Sequence, residues 1–249
     1  MTKIGKSVPK RLRKEPLLEA VWEIRFTSDR ESVGELLPGL IYQAMEASFP
    51  KIERLPAANL PLPFLQKEAT LRYVPTVRLE GSPYSIQIGE HVVSLSCRRP
   101  YTGWREFESR ILDLAEILKK TNLLTKLERF SLKYIDVISL GDSPSLKLLE
   151  ILVKLDTHEL TTDLVQLRTE LRENSFLHII QIISPGQAVL LTGERFEGVL
   201  LDIDTIYQRE ASEFWLDFRD QLNRAHQLNK NLFFRLLTKE TIDKLEPEY

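Results

Sequence analysis

The sequence predicts an α+β fold: antiparallel sheet covered on one face by long amphipathic helices, in a grammar that recurs as two similar halves. Three observations predict it. Several segments of strand length alternate apolar and polar residues, the period-2 signature of a half-buried strand. Most gaps between those segments are of hairpin length, too short for a parallel crossover. Two further segments space their apolar residues by three and four, which is one face of a helix. With 249 residues, 43% of them hydrophobic and 28% charged, the chain can bury a sizeable core without disulfides or metals.

Taken in order, Leu18, Ala20, Trp22, Ile24 and Phe26 alternate with Glu19, Val21, Glu23, Arg25 and Thr27, which predicts a first strand over 16–27. Ser28 or Asp29 offers a cap for the next element. Pro38 suits the first turn of a helix, so the helix is placed from Leu37 to Pro50 with Leu40, Ile41, Ala44 and Met45 as its stripe. Pro50, Pro56, Pro61 and Pro63 make 50–63 an extended connection, expected to pack on the body through Leu60, Leu62, Phe64 and Leu65. Strands are predicted near 70–79, 83–89 and 91–97, with Gly89-Glu90 as a hairpin turn. Trp104, Phe107, Ile111, Leu114 and Leu118 then mark a helix, and 127–139 a strand. Gly141, Asp142 and Pro144 mark a break. Beyond it, strands are predicted near 162–172, 176–184, 187–193 and 198–207, with turns at Ser184-Pro185-Gly186 and Gly193-Glu194. A long helix is predicted from Ala211 through Phe214, Phe218, Leu222, Ala225, Asn229, Leu232 and Leu236, and Thr238 caps a short last one. The organisation that results is a basic flexible arm over 1–15, an N-terminal half over 16–141 and a C-terminal half over 142–249.

Charge is uneven. Residues 1–14 hold Lys3, Lys6, Lys10, Arg11, Arg13 and Lys14 and no acid, although the whole chain carries a formal charge of −2. Such an arm is either a solvated leader or a contact for nucleic-acid phosphates through Lys10, Arg11, Arg13 and Lys14. It lacks an aromatic for base stacking, and the body has the wrong sign for a nucleic-acid surface. The start of the chain has no apolar segment after its charges and no stretch suits a membrane span, so a cytoplasmic protein without membrane contact is expected.

The sequence contains no GxxxxGK[ST], GxGxxG, HExxH, CxxC or GxSxG motif, which disfavours P-loop, dinucleotide-binding, zincin and α/β-hydrolase chemistry. No cofactor is implied. Single Cys97 excludes a disulfide framework, and in phase with Val93 and Leu95 it reads as a small buried hydrophobe. Asp202 and Asp204 lie two apart on a predicted strand and so share a face. They are the candidate metal ligands, with Glu194 or His178 as a third donor; the alternative is a solvent-facing polar edge. Glu19, Glu23 and Arg25 occupy the polar face of the first strand, where an ion-pair ladder with Lys133 or Arg129 would satisfy them and Asp136 could join. His178 alternates into an apolar face and is expected buried and hydrogen-bonded. His226 lies one position off the stripe of the long helix.

Five segments resemble a sporadically distributed prokaryotic family of about this length and of uncharacterised function. They are PLLEAVWEIRF (16–26), YSIQIG (84–89), RFSLKYID (129–136), VLLDID (199–204) and HQLNKNLFFRLLT (226–238). Ser131 and Asp136 stand where that family usually has glycine and asparagine. The resemblance implies no catalytic set. It implies an accessory gene of the kind found at defence and toxin–antitoxin loci. The resulting expectation is a non-catalytic protein-interaction module with a protein partner or a second copy as its partner. The alternatives are a metal-dependent enzyme acting on nucleotides or nucleic acid through Asp202 and Asp204, and a nucleic-acid binder led by the basic arm.

Overall fold

The computed structural model describes residues 8–61, 64, 68–190, 193–208 and 214–249. Its strands are β1 (Arg11–Leu12), β2 (Leu17–Thr27), β3 (Lys51–Arg54), β4 (Val77–Glu80), β5 (Tyr84–Ile88), β6 (Val92–Arg98), β7 (Lys126–Ile138), β8 (Lys154–Leu155), β9 (His158–Glu159), β10 (Val165–Glu173), β11 (Phe176–Val189), β12 (Arg195–Gln208) and β13 (Pro247–Glu248). Its helices are α1 (Val33–Met45), α2 (Trp104–Thr121), α3 (Phe218–Leu236) and α4 (Lys239–Lys244). Nine strands form one antiparallel sheet in the order β10-β11-β12-β7-β2-β6-β5-β4-β3, and β1-β13 and β8-β9 form two small ones.

The α+β expectation of sheets covered by long helices is overturned: the molecule is predominantly β. Ser184-Pro185-Gly186 is not a turn. It is a bulge inside β11, where the register with β12 jumps from Ile183 to Gly186, so two expected strands are one of 14 residues. β12 also has 14 residues, β7 has 13 and β2 has 11. The last long helix, in contrast, begins at Phe218, and the start expected at Ala211 lies outside the described residues. Helix share falls and strand share rises for both reasons.

Residues on either side of the break at 141 join in this sheet, because β7 hydrogen-bonds to β12 along ten register pairs from Val199↔Ile138 to Gln208↔Arg129. β2 takes the centre, antiparallel to both β6 and β7. Those two strands therefore run parallel with β2 between them, and α2 is the helical crossover that such a connection needs.

One sheet face carries the apolar residues. Ala20, Trp22, Ile24 and Phe26 of β2, Phe130 and Leu132 of β7, and Val199, Leu201 and Ile203 of β12 point toward the helices and are buried. They divide into two clusters. The larger spans β2, β5, β6, α1, α2 and the start of α3; the other joins β11 and β12 to the end of α3 and to α4. Cys97 is wholly buried in the larger cluster, and burial raises its thiol pKa, which suits an inert packing residue.

Helix α1 begins at Val33, four residues before the predicted start, with Pro38 inside it. Its cap comes from elsewhere in the chain. Neither Ser28 nor Asp29 caps it, and Ser32 sits in the left-handed region without a side-chain bond. Buried Glu90, in the β5–β6 turn, accepts from the backbone N–H of Val33 at 3.1 Å and of Gly34 at 2.8 Å. A carboxylate at a helix N-terminus satisfies two orphan donors and complements the helix dipole. Glycine eases this close approach, since a Cβ at residue 34 would lie 3.1 Å from the Glu90 backbone nitrogen and the neighbour would have to give by a few tenths of an ångström. Glu90→Ala would strand both buried donors. It is expected to cost about 2–3 kcal/mol in chemical denaturation, and a loss below about 0.5 kcal/mol would refute this capping role.

The basic arm, as far as it is described, is docked. β1 pairs with β13, Arg11 and Arg13 meet Glu248, and Lys14 meets Glu246 at 2.9 Å. Lys3 and Lys6 lie outside the described residues. Among the connections, Leu60 and Phe64 are exposed and not packed, and Leu62 and Leu65 lie outside the described residues.

Candidate functional site

Where the two core clusters meet, the helix-bearing face of the sheet opens into a cavity of about 600 Å³. Its floor is Tyr134 and Asp136 of β7. Tyr101 and Trp104 close one side, His226, Asn229, Phe233 and Phe234 of α3 the other, and the segment from Lys10 to Leu17 crosses it as a strap. The strap is anchored at several points. Its β1 is held by β13, the Pro16 carbonyl accepts from Val137 N–H at 2.9 Å, and the Lys230 ammonium donates to the Lys10 carbonyl at 3.1 Å.

Alternation explains the floor. In β7 the face toward the helices is Phe130, Leu132, Tyr134, Asp136 and Ile138, so Asp136 falls in phase with the core. It therefore does not join the ion-pair ladder on the opposite face. The carboxyl is buried and makes no hydrogen bond among the described residues. Burial raises its pKa well above the ordinary 3.8, and the nearby acids Glu15 and Asp202 add to the rise. Glu15, on the strap, is likewise raised by desolvation, with Arg99 opposing.

The aromatic wall is tightly built. The rings of Trp104 and His226 stack with centroids 4.0 Å apart and planes within 1°. Trp104 Nε1–H donates to Asn223 Oδ1 at 3.1 Å. Tyr134 Oη lies 2.9 Å from His226 Nδ1. Burial, with Lys230 adding, pushes the His226 pKa down to about 3, so the imidazole is neutral over the physiological range. Whether the phenol or the ring nitrogen donates depends on the imidazole tautomer. Burial raises the pKa of both Tyr134 and Tyr101, and each phenol acts on the other. Asn229 ties α3 to the sheet through Nδ2, which faces the carbonyls of Ile203 at 2.9 Å and Leu132 at 3.3 Å and Thr205 Oγ1 at 2.9 Å.

The candidates taken from the sequence are placed elsewhere. Asp202 and Asp204 share the opposite, helix-free face of β12, and both are nearly buried there. Asp202 meets Lys133 Nζ at 3.6 Å and Gln181 Nε2 at 3.3 Å. Burial raises the pKa of both aspartates, with Lys133 opposing. His178 cannot join them: it pairs with Thr205 on the apolar face, its Nδ1 3.0 Å from Thr205 Oγ1. Glu194 precedes β12 by one residue, about 26 Å along the strand from Asp202. Among the described residues no group of three or more His, Cys, Asp or Glu side chains is placed to hold a metal ion. The predicted ladder forms in part: Glu23 accepts from Arg25 at 2.7 Å and Arg129 at 3.2 Å, whereas Glu19 meets Arg98 at 3.9 Å and Lys133 meets Asp202. Arg11, Arg13 and Lys14 spend their charge on Glu246 and Glu248, and Lys10 Nζ donates to the Tyr249 carbonyl at 3.0 Å.

No described helix is long and apolar enough to cross a membrane. Comparison with models of known protein families and with curated protein sequences finds no match for this chain.

Sequence reasoning missed Tyr101, Trp104, Tyr134 and Lys230 as site residues and misassigned Asp136. One signal was readable. An acid in phase with four apolar positions of a strand is a buried acid, and an unpaired one asks for a partner.

Proposed function

We propose that the chain is a non-catalytic binding module whose strapped cavity takes a small organic cation: an ammonium or amidinium group carried on an apolar body. The observation that carries this reading is Asp136, 5% exposed at the floor of a cavity walled by aromatic rings, with no hydrogen bond to its carboxyl among the described residues. A buried carboxyl without a partner is costly, and a ligand cation removes that cost. Tyr101, Tyr134 and Trp104 supply π-faces that add about 0.5–2 kcal/mol to cation binding. Glu15 provides a second negative group at the strap.

Binding without turnover is favoured by the titrating groups. General acid–base catalysts work best with pKa values near the working pH. Here His226 is moved far below neutrality and both phenols are moved above their usual range. The interaction-module expectation is kept in this form, as a cytoplasmic module that senses or presents a ligand to a partner. The accessory-locus setting stays part of the proposal. For the metal-dependent alternative, no third donor stands beside Asp202 and Asp204 among the described residues. The nucleic-acid alternative finds the described arm cations engaged by the C-terminal segment.

Isothermal calorimetry against a panel of aryl-alkyl amines and guanidines tests the reading. The expected result is saturable binding that releases a proton, because the cation stabilises the ionised form of Asp136. Affinity should then rise with pH through the folded-state pKa of that carboxyl. Binding only of anionic compounds, or no heat with any cation of the panel, would overturn it.

A further inference from the structure

The nine-stranded sheet ends in two very different edges. At one side β3 is only four residues long, Lys-Ile-Glu-Arg, the short charged edge that resists pairing. At the other side β10 runs for nine residues, and among the described residues no strand pairs with its outer side. We infer that this edge is a self-association site, where β10 of a second copy of this chain adds in antiparallel register about a two-fold axis through Thr169.

The register is set by hydrogen-bond geometry and by charge. β10 and β11 form a two-residue hairpin closed by Glu173↔Phe176, with Asn174 at φ 55° in the turn. The closing pair is hydrogen-bonded, and bonded and open positions alternate along the ladder. Val165, Leu167, Thr169, Leu171 and Glu173 thus spend their backbone groups on β11. Gln166, Arg168, Glu170 and Arg172 aim theirs outward. An antiparallel partner centred on Thr169 sets Arg168 opposite Glu170 and Gln166 opposite Arg172, so all four outward residues pair. Shifting the centre by one residue one way opposes Arg168 to Arg168. Shifting it the other way opposes Arg168 to Arg172 and Glu170 to Glu170. Like charges directly opposite destabilise a ladder, so the charges permit one full-length register.

The same register serves the other face. Leu167 falls opposite Leu171, and Leu171 is 43% exposed in the single chain. Within one chain Arg168 and Glu170 make an exposed ion pair at 2.8 Å. Exposed pairs of this kind are worth little, so exchanging it for two cross-strand pairs is nearly free. A two-fold related edge is the self-complementary patch that a closed dimer needs. This inference is independent of what the cavity binds.

Sedimentation velocity of the full chain up to about 100 µM tests it. The expected result is a dimer. Arg168→Glu or Glu170→Arg alone sets like charges against each other and should weaken dimerisation by about tenfold or more. The two single variants mixed together restore opposite charges across the axis, so they should pair with each other while neither pairs with itself. This arm needs both to be folded, which far-UV circular dichroism checks. Gln166→Pro provides a further arm, since proline is tolerated where an edge N–H faces solvent but removes an intermolecular donor. A monomer at every concentration, a dimer indifferent to the reversals, or variants that fail to pair when mixed would each overturn the inference.

Discussion

Replacing Trp22 by alanine is expected to lower the stability of the fold by about 3–5 kcal/mol. The reason is position. β2 is the central strand, hydrogen-bonded on both sides, and Trp22 faces the larger cluster with no exposed surface. Its ring meets Phe218 edge-on at 5.9 Å, which joins the middle of the sheet to the start of α3. No hydrogen bond is lost, because the indole N–H has no partner among the described residues. The cost is therefore packing and the cavity left behind, in a well that close neighbours on a sheet cannot refill. For a chain of this size each kcal/mol lowers Tm by about 2–4 °C, so a fall of roughly 6–20 °C is expected. Trp22→Phe keeps the ring contact and removes the unpartnered donor, and should cost less than about 2 kcal/mol. Urea denaturation of both variants measures this. A Trp22→Ala chain within about 1 kcal/mol of the parent would show that the sheet is not centred on this side chain.

Asp136→Asn is expected to weaken cation binding by about 100-fold, close to 3 kcal/mol, and to change how stability depends on pH. The sign of the second effect is fixed by linkage. The folded carboxyl has its pKa raised above the ordinary 3.8, so the folded chain holds a proton that the unfolded chain releases. The stability this group contributes is complete below 3.8. It is lost as pH rises from there through the folded-state value, at a slope approaching 1.4 kcal/mol per unit. The variant lacks this slope. Parent minus variant stability should therefore fall steadily from acid toward neutral pH, and the amine should reverse the fall in the parent alone. Asp202 and Asp204 add slopes of the same sign, and they cancel in the difference. A flat difference curve would mean that Asp136 is solvated and would remove the basis for the ligand assignment.

Local pattern made much of the architecture legible. The alternation at 16–27 yields β2 within a residue, and the 3-4 spacing from Trp104 yields α2. The polar face of β2 yields Glu23 with Arg129. Misreadings arose where a local signal served a tertiary purpose. Ser184-Pro185-Gly186 has turn composition, yet Gly186 sits opposite Gly198 in a bulge that lets β11 continue. Pro38 marks a first helical turn, but Glu90 caps α1 from 57 residues away and moves the start earlier.

By itself the sequence determined the apolar face of β2 and of α2, that Cys97 is buried, and that no familiar catalytic motif is present; it misplaced the strand at 70–79, which is only Val77–Glu80, and the α1 stripe, where Leu40 is exposed. Only the tertiary structure decided that strands from both sides of residue 141 share one sheet, that the basic arm docks on the C-terminus, and that Asp136 meets Tyr101, Trp104 and His226 in a cavity. The physical reason is range. Period and composition report contacts within a few residues, whereas the cavity depends on which strands pair and on a strap closed by residues more than 200 positions away in the chain.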